Sequence, residues 1–146
     1  MTVARLLERK GGAIVSVEPD HTVANAAGIL REKRIGALLV CQDGEMRGII
    51  SERDIVAAIA AGKRGIADTP VSEIMTAKVE RCTAKDTIVS IHRRMEEGRF
   101  RHMPVFRDDE LIGLVSITDI ARERVAEAER EAQDVMSYVD SRARHG

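Results

Sequence analysis

Aromatic side chains are nearly missing from this sequence: one Tyr, two Phe and no Trp make up 2% of it. Proteins that grip single-stranded nucleic acid stack bases on aromatic rings, so that class loses its platform. An excess of charge is equally missing. Lys and Arg number 23 against 24 Asp and Glu, a formal net charge of −1 with no long block of either sign. Duplex nucleic acid and anionic membrane surfaces therefore find no electrostatic partner. No apolar run is long enough to span a bilayer, and Arg5, Glu8, Arg9 and Lys10 interrupt the first residues, which excludes a secretory signal. A cytoplasmic protein is expected. Only two cysteines occur, Cys41 and Cys82, each alone in a strand-like run, with no Cys-x-x-Cys or Cys/His ligand spacing. They read as small buried hydrophobes, and no metal site is expected.

What is present is aliphatic side chain, ample charge and a repeat. Hydrophobic residues make up 44% and charged residues 32% of 146 residues, enough for one packed interior or two small ones sharing a core. Gly48-Ile49-Ile50-Ser51-Glu52-Arg53-Asp54-Ile55 returns 65 residues later as Gly113-Leu114-Val115-Ser116-Ile117-Thr118-Asp119-Ile120. The same offset, without a gap, pairs Thr22 with Thr87, Arg34 with Arg99, Val40 with Val105 and Asp43 with Asp108. One supersecondary unit occurs twice.

Within each copy the apolar period changes in order. Ile14–Val17 and Val79–Cys82 are short β-prone runs. Val23, Ala26, Ala27 and Leu30, like Ile88, Ile91 and Met95, recur at helical spacing. Ile35–Cys41 and Met46–Ser51 flank the turn residues Gln42-Asp43-Gly44, the pattern of a hairpin, and Asp108-Asp109 takes the turn role in the second copy. A helix through Ile55, Val56 and Ile59 follows, which Gly62 can end; its counterpart from Ile117 runs on toward Tyr138. The fold class is therefore α/β (α+β), a β-α-β-β-α unit repeated twice and packed face to face, because one such unit buries too little area alone. Expected boundaries are a short N-terminal helix at 1–12, a first repeat at 13–66, a second at 71–127, and a C-terminal helix and tail at 128–146. The stripe Val125, Ala128, Ala132, Val135, Val139 on that last helix implies intramolecular or dimer packing.

Ser51-x-x-Asp54 and Ser116-x-x-Asp119 carry the chemistry. A carboxylate in the first turn of a helix can accept hydrogen bonds from a cis-diol, beside a helix N-terminus that favours a phosphate. The same spacing is also that of a capping box, which serves the helix alone. No nucleophile elbow, phosphate-loop lysine or metal-ligating cluster accompanies these residues, so neither catalysis nor a catalytic cofactor is expected. His21, His92 and His145 read as surface residues.

Together with Glu73-Ile74-Met75-Thr76, Arg101-His102-Met103-Pro104-Val105-Phe106 and the two strand-helix openers, these motifs resemble a tandem pair of cystathionine β-synthase (CBS) domains, a Bateman module, over residues 13 to 127. Leu39 departs from the pattern where that family often has the proline seen at Pro104. The resemblance implies a homodimer that holds adenosine-containing ligands between its repeats and regulates another protein. It places Asp54 and Asp119 on ribose, Ser51 and Ser116 near phosphate, and Arg53, Thr118, Arg101 and His102 as phosphate candidates. It nominates Val15, Val17, Ala37 and Leu38 for the base in one cleft, and Cys82, Thr83, His102 and Met103 in the other. AMP is the favoured ligand, with NAD(H) or ATP as alternatives, because Gly36-Ala37 leaves room where the second copy has Arg101-His102. A protein-interaction module that binds no nucleotide is the competing reading.

Overall fold

The computed structural model of the protein describes residues 1–145; Gly146 and the side chain of His145 lie outside the described residues. Helix α1 (Val3–Lys10) precedes the first repeat, which consists of β1 (Ser16–Val17), α2 (Val23–Lys33), β2 (Ala37–Gln42), β3 (Glu45–Ser51) and α3 (Glu52–Ala60). Two 3-10 turns, Ile66–Asp68 and Val71–Glu73, lead to β4 (Cys82–Thr83), α4 (Ile88–Gly98), β5 (His102–Arg107), β6 (Glu110–Ser116) and α5 (Ile117–His145). Each repeat builds one three-stranded sheet, β1-β2-β3 or β4-β5-β6, with a parallel pair at one side and an antiparallel hairpin at the other.

Local sequence explains the elements. Thr22 and Thr87 cap α2 and α4 by accepting from the N–H groups of Asn25 and Ser90. Both helices then end on an arginine in the left-handed region, Arg34 at φ 54° and Arg99 at φ 56°, where glycine is the commoner stop. The two hairpins turn over two residues, Asp43-Gly44 and Asp108-Asp109, and each ladder shifts register opposite Gly48 or Gly113. The first strand of each repeat is short, only Ser16–Val17 and Cys82–Thr83, and residues just before each of them line a cleft.

Two apolar interiors result. Val17, Val23, Ala26, Leu30, Leu38, Val40 and Ile50 fill the first; Cys82, Ile88, Ile91, Met95, Met103, Val105, Val115 and Ile120 fill the second. Each is completed by a segment that precedes the other repeat. Val3, Leu6 and Leu7 of α1 pack into the second interior, and Val71, Ile74 and Met75 from the inter-repeat segment pack into the first. Backbone bonds follow the same exchange. The N–H of Val3 donates to Asp86 and that of Ala4 to Ala84, while those of Val71 and Ser72 donate to His21 and Pro19. Burying one such valine stabilises by about 1.5–3 kcal/mol, so these segments hold the two halves together.

Of the two packings expected for the stripe on the last helix, the intramolecular one is not made. Every described residue from Ala128 to Arg144 is exposed, so the stripe through Val135 and Val139 meets nothing in its own chain. No helix among the described residues is long and apolar enough to cross a membrane.

Candidate functional site

The repeats meet across a continuous cleft of about 1070 Å³. Its walls are the first residues of β2 and β5, the N-termini of α3 and α5, and the two segments that lead into β1 and β4. Among the residues singled out from sequence, Val15, Ala37, Ser51, Arg53, Asp54, Arg101, His102, Ser116, Thr118 and Asp119 line it. Val17, Leu38, Cys82 and Met103 do not: their side chains are buried in the two interiors. Thr83 is exposed and also lies off the cleft. Alternation along a strand separates Ala37 from Leu38 and His102 from Met103, since neighbours on one strand point to opposite faces.

Both Ser-x-x-Asp elements form their caps. The Oγ of Ser51 accepts from the N–H of Asp54 at 3.2 Å, and Oδ2 of Asp54 accepts from the N–H of Ser51 at 2.9 Å. Ser116 and Asp119 repeat this at 3.1 and 2.8 Å. The caps hold each carboxylate at the cleft wall, and Asp54 and Asp119 are only half-buried. Their remaining partners differ. Oδ1 of Asp54 accepts from the Thr76 hydroxyl at 3.1 Å, whereas Oδ2 of Asp119 accepts from Nζ of Lys10 at 2.6 Å. Burial would raise the Asp119 carboxyl, but the hydrogen bonds from Lys10 and Ser116 overcome it and hold the group below the usual carboxylate range.

Positive charge surrounds the two carboxylates. Arg34, Arg53, Arg99 and Arg101, together with Lys10, Lys78 and Arg122, outnumber Glu52, Asp54, Glu80 and Asp119, on a molecule whose formal charge is −1. Sequence reasoning missed Lys10, Thr76, Lys78 and Glu80. Lys78 stands where Lys10 stands when the two exchanged segments are superposed on Val3 and Val71, a shorter correspondence than the main repeat.

His102 changes one expectation. Burial, then the neighbouring Arg101, push its pKa down to about 4, so it is neutral near pH 7 and supplies no cation for a phosphate. The ring borders the cleft beside Gly36, where a Cβ would stand 3.3 Å from its Cε1. Neither Ser51 nor Ser116 is hydrogen-bonded to a histidine among the described residues.

Two repeats around a shared polar cleft, each contributing a capped carboxylate, define a tandem-repeat module. Residues 5–61 and 71–126 each match the CBS domain family, and the chain belongs to it. It is 33% identical over 94% of its length to the Arabidopsis thaliana mitochondrial CBS domain-containing protein CBSX3, covering 71% of that protein. Among solved structures it resembles a CBS-domain-containing protein of Agrobacterium tumefaciens, with 40% identity, a TM-score of 0.82, and coverage of 85% of this chain and 99% of that one. The CBS domain pair of protein MJ0100, solved with 5′-methylthioadenosine and S-adenosyl-L-methionine, is similar at 25% identity and a TM-score of 0.73, over 84% of this chain and 98% of that one.

Proposed function

We propose that this CBS pair is an adenine-nucleotide sensor that carries out no chemistry of its own and regulates a separate protein in the cytoplasm. The observation that carries the reading is the presence of Asp54 and Asp119 in one cleft, each fixed by a cap at a helix N-terminus and ringed by arginine and lysine. A carboxylate can take the two hydroxyls of a ribose while the helix end and the cations take phosphate. The adenosine ligands of the MJ0100 pair support the same ligand class. AMP is the first candidate, with NAD(H) or ATP next; guanine nucleotides are expected to bind poorly. Calorimetry on protein freed of endogenous ligand, with AMP, ADP, ATP, NAD(H) and S-adenosylmethionine, tests it. Heat with at least one of them is expected, and none with any would overturn the reading.

A second copy of the chain is the proposed partner. Val56 and Ile59 on α3 and Val125 on α5 are exposed apolar residues, as are Val135 and Val139 farther along α5. Ile120 does not contribute to such a face, because it is fully buried in the second interior. That exposed stripe is also what favours an interaction module as the second reading. Light scattering at micromolar concentration is expected to give a dimer mass.

A further inference from the structure

The two halves of the cleft differ in one respect that the repeat does not explain. Asp54 meets a neutral hydroxyl, that of Thr76, and makes no ion pair among the described residues. Asp119 is held by the ammonium of Lys10, which also donates to the backbone carbonyl of Leu114 at 2.7 Å. Lys10 is the last residue of α1, and α1 is fastened along α5 by further pairs: Arg9 to Glu123 at 2.8 Å, and the N-terminal ammonium to Glu127 at 3.7 Å.

We propose that Lys10 is an internal occupant of the Asp119 half, so that a nucleotide fills the Asp54 half first and reaches Asp119 only by displacing Lys10. Displacement removes one of the pins between α1 and α5, so that filling the second half loosens the end of α1. The inference rests on the nucleotide reading above and adds an order of filling and a moving element. The Lys10–Asp119 ion pair is partly exposed and therefore weak, and a ribose diol offers the same carboxylate charge-assisted hydrogen bonds in its place. A ribose can therefore win the exchange, with its affinity reduced by the competitor.

The test is a calorimetric titration of ligand-free full-length protein with AMP, for wild type, Lys10→Met and Lys10→Arg, beside hydrogen exchange of Arg9 to Gly11. Wild type is expected to show two steps. Lys10→Met should tighten the weaker step by roughly three- to tenfold and leave the tighter one alone, and Lys10→Arg should restore the wild-type spacing. Exchange at Arg9 to Gly11 should quicken when AMP saturates wild type, and should already be fast in Lys10→Met. Identical steps in wild type and Lys10→Met overturn the inference and leave the nucleotide reading standing. Weaker binding in Lys10→Met also overturns it, and makes Lys10 a phosphate ligand instead. No AMP binding by folded wild type or Lys10→Met removes the site at which the competition is proposed, and the inference with it.

Discussion

Ile49 and Thr76 exchange two backbone hydrogen bonds, of 2.9 and 2.8 Å, which clamp the inter-repeat segment onto β3. The clamp fits only because Gly48 has no side chain: a Cβ there would lie 2.6 Å from the Thr76 carbonyl oxygen. At Gly113, the matching position, a Cβ would meet Cδ2 of Leu7 at 2.8 Å, the end of a flexible side chain. Gly48→Ala is therefore expected to destabilise by about 1–3 kcal/mol and Gly113→Ala by less. Denaturant melts of both variants check the order, and equal losses would contradict it.

The carboxylates have two separable roles. Asp54→Ala and Asp119→Ala should each remove a capping acceptor, costing about 0.5–2 kcal/mol of stability. Each should also weaken AMP at its own half by about 25-fold, the equivalent of roughly 2 kcal/mol. Asparagine at either position keeps an acceptor for the cap, so thermal melting should recover more than affinity does. Variants that melt early yet bind AMP as before would leave the carboxylates as caps only.

His102 gives the protein a pH dependence with a definite sign. Unfolded, the ring takes a proton near 6.5; folded, only near 4. Between those values the unfolded state binds more protons, so stability falls as pH drops through the window, by up to about 1.4 kcal/mol per pH unit. Asp119, whose pKa is lowered, holds its contribution above the ordinary value of 3.8 and loses it only at lower pH. Melting His102→Asn beside wild type at intervals from pH 7 to 4 should show a flatter slope for the variant.

The two thiols should react at different rates. Burial and Asp86 push Cys82 up to about 12, against a smaller opposing pull from Arg94, while Cys41 is less buried and is raised by burial alone. Only a thiolate attacks an alkylating reagent. Mass spectrometry after limited iodoacetamide treatment should find Cys41 modified first, with Cys82 following on unfolding.

Deleting residues 128–146 removes no buried side chain among those described. The melting temperature of dilute protein should stay within about 1–2 °C of full length. AMP affinity should not change, because none of these residues lines the cleft.

Much of this was legible in the sequence, and particular residues show why. The repeat carries Gly48 and Gly113, Ser51 and Ser116, and Asp54 and Asp119 at one constant offset, so strand order, helix starts and cleft wall could be read together. The pairing of α1 with the inter-repeat segment was not legible. Only Val3, Leu6 and Leu7 against Val71, Ile74 and Met75 mark it, at a different offset, and α1 is a helix where its counterpart is a 3-10 turn. The approach of the His102 ring to Gly36 was hidden for another reason. It depends on how two sheets meet, which no periodicity along one chain records.

The exchange of segments also sets when the protein can become complete. Val3 to Leu7 leave the ribosome long before the residues they cover, up to Val115 and Ile120, have been made. The first repeat must in turn wait for Val71, Ile74 and Met75, which arrive after its own α3. Neither half is a finished folding unit: polypeptides 1–64 and 65–146 would each carry the plug for the other's interior and lack their own. They should remain loose apart and fold when mixed, as two parts of one lock.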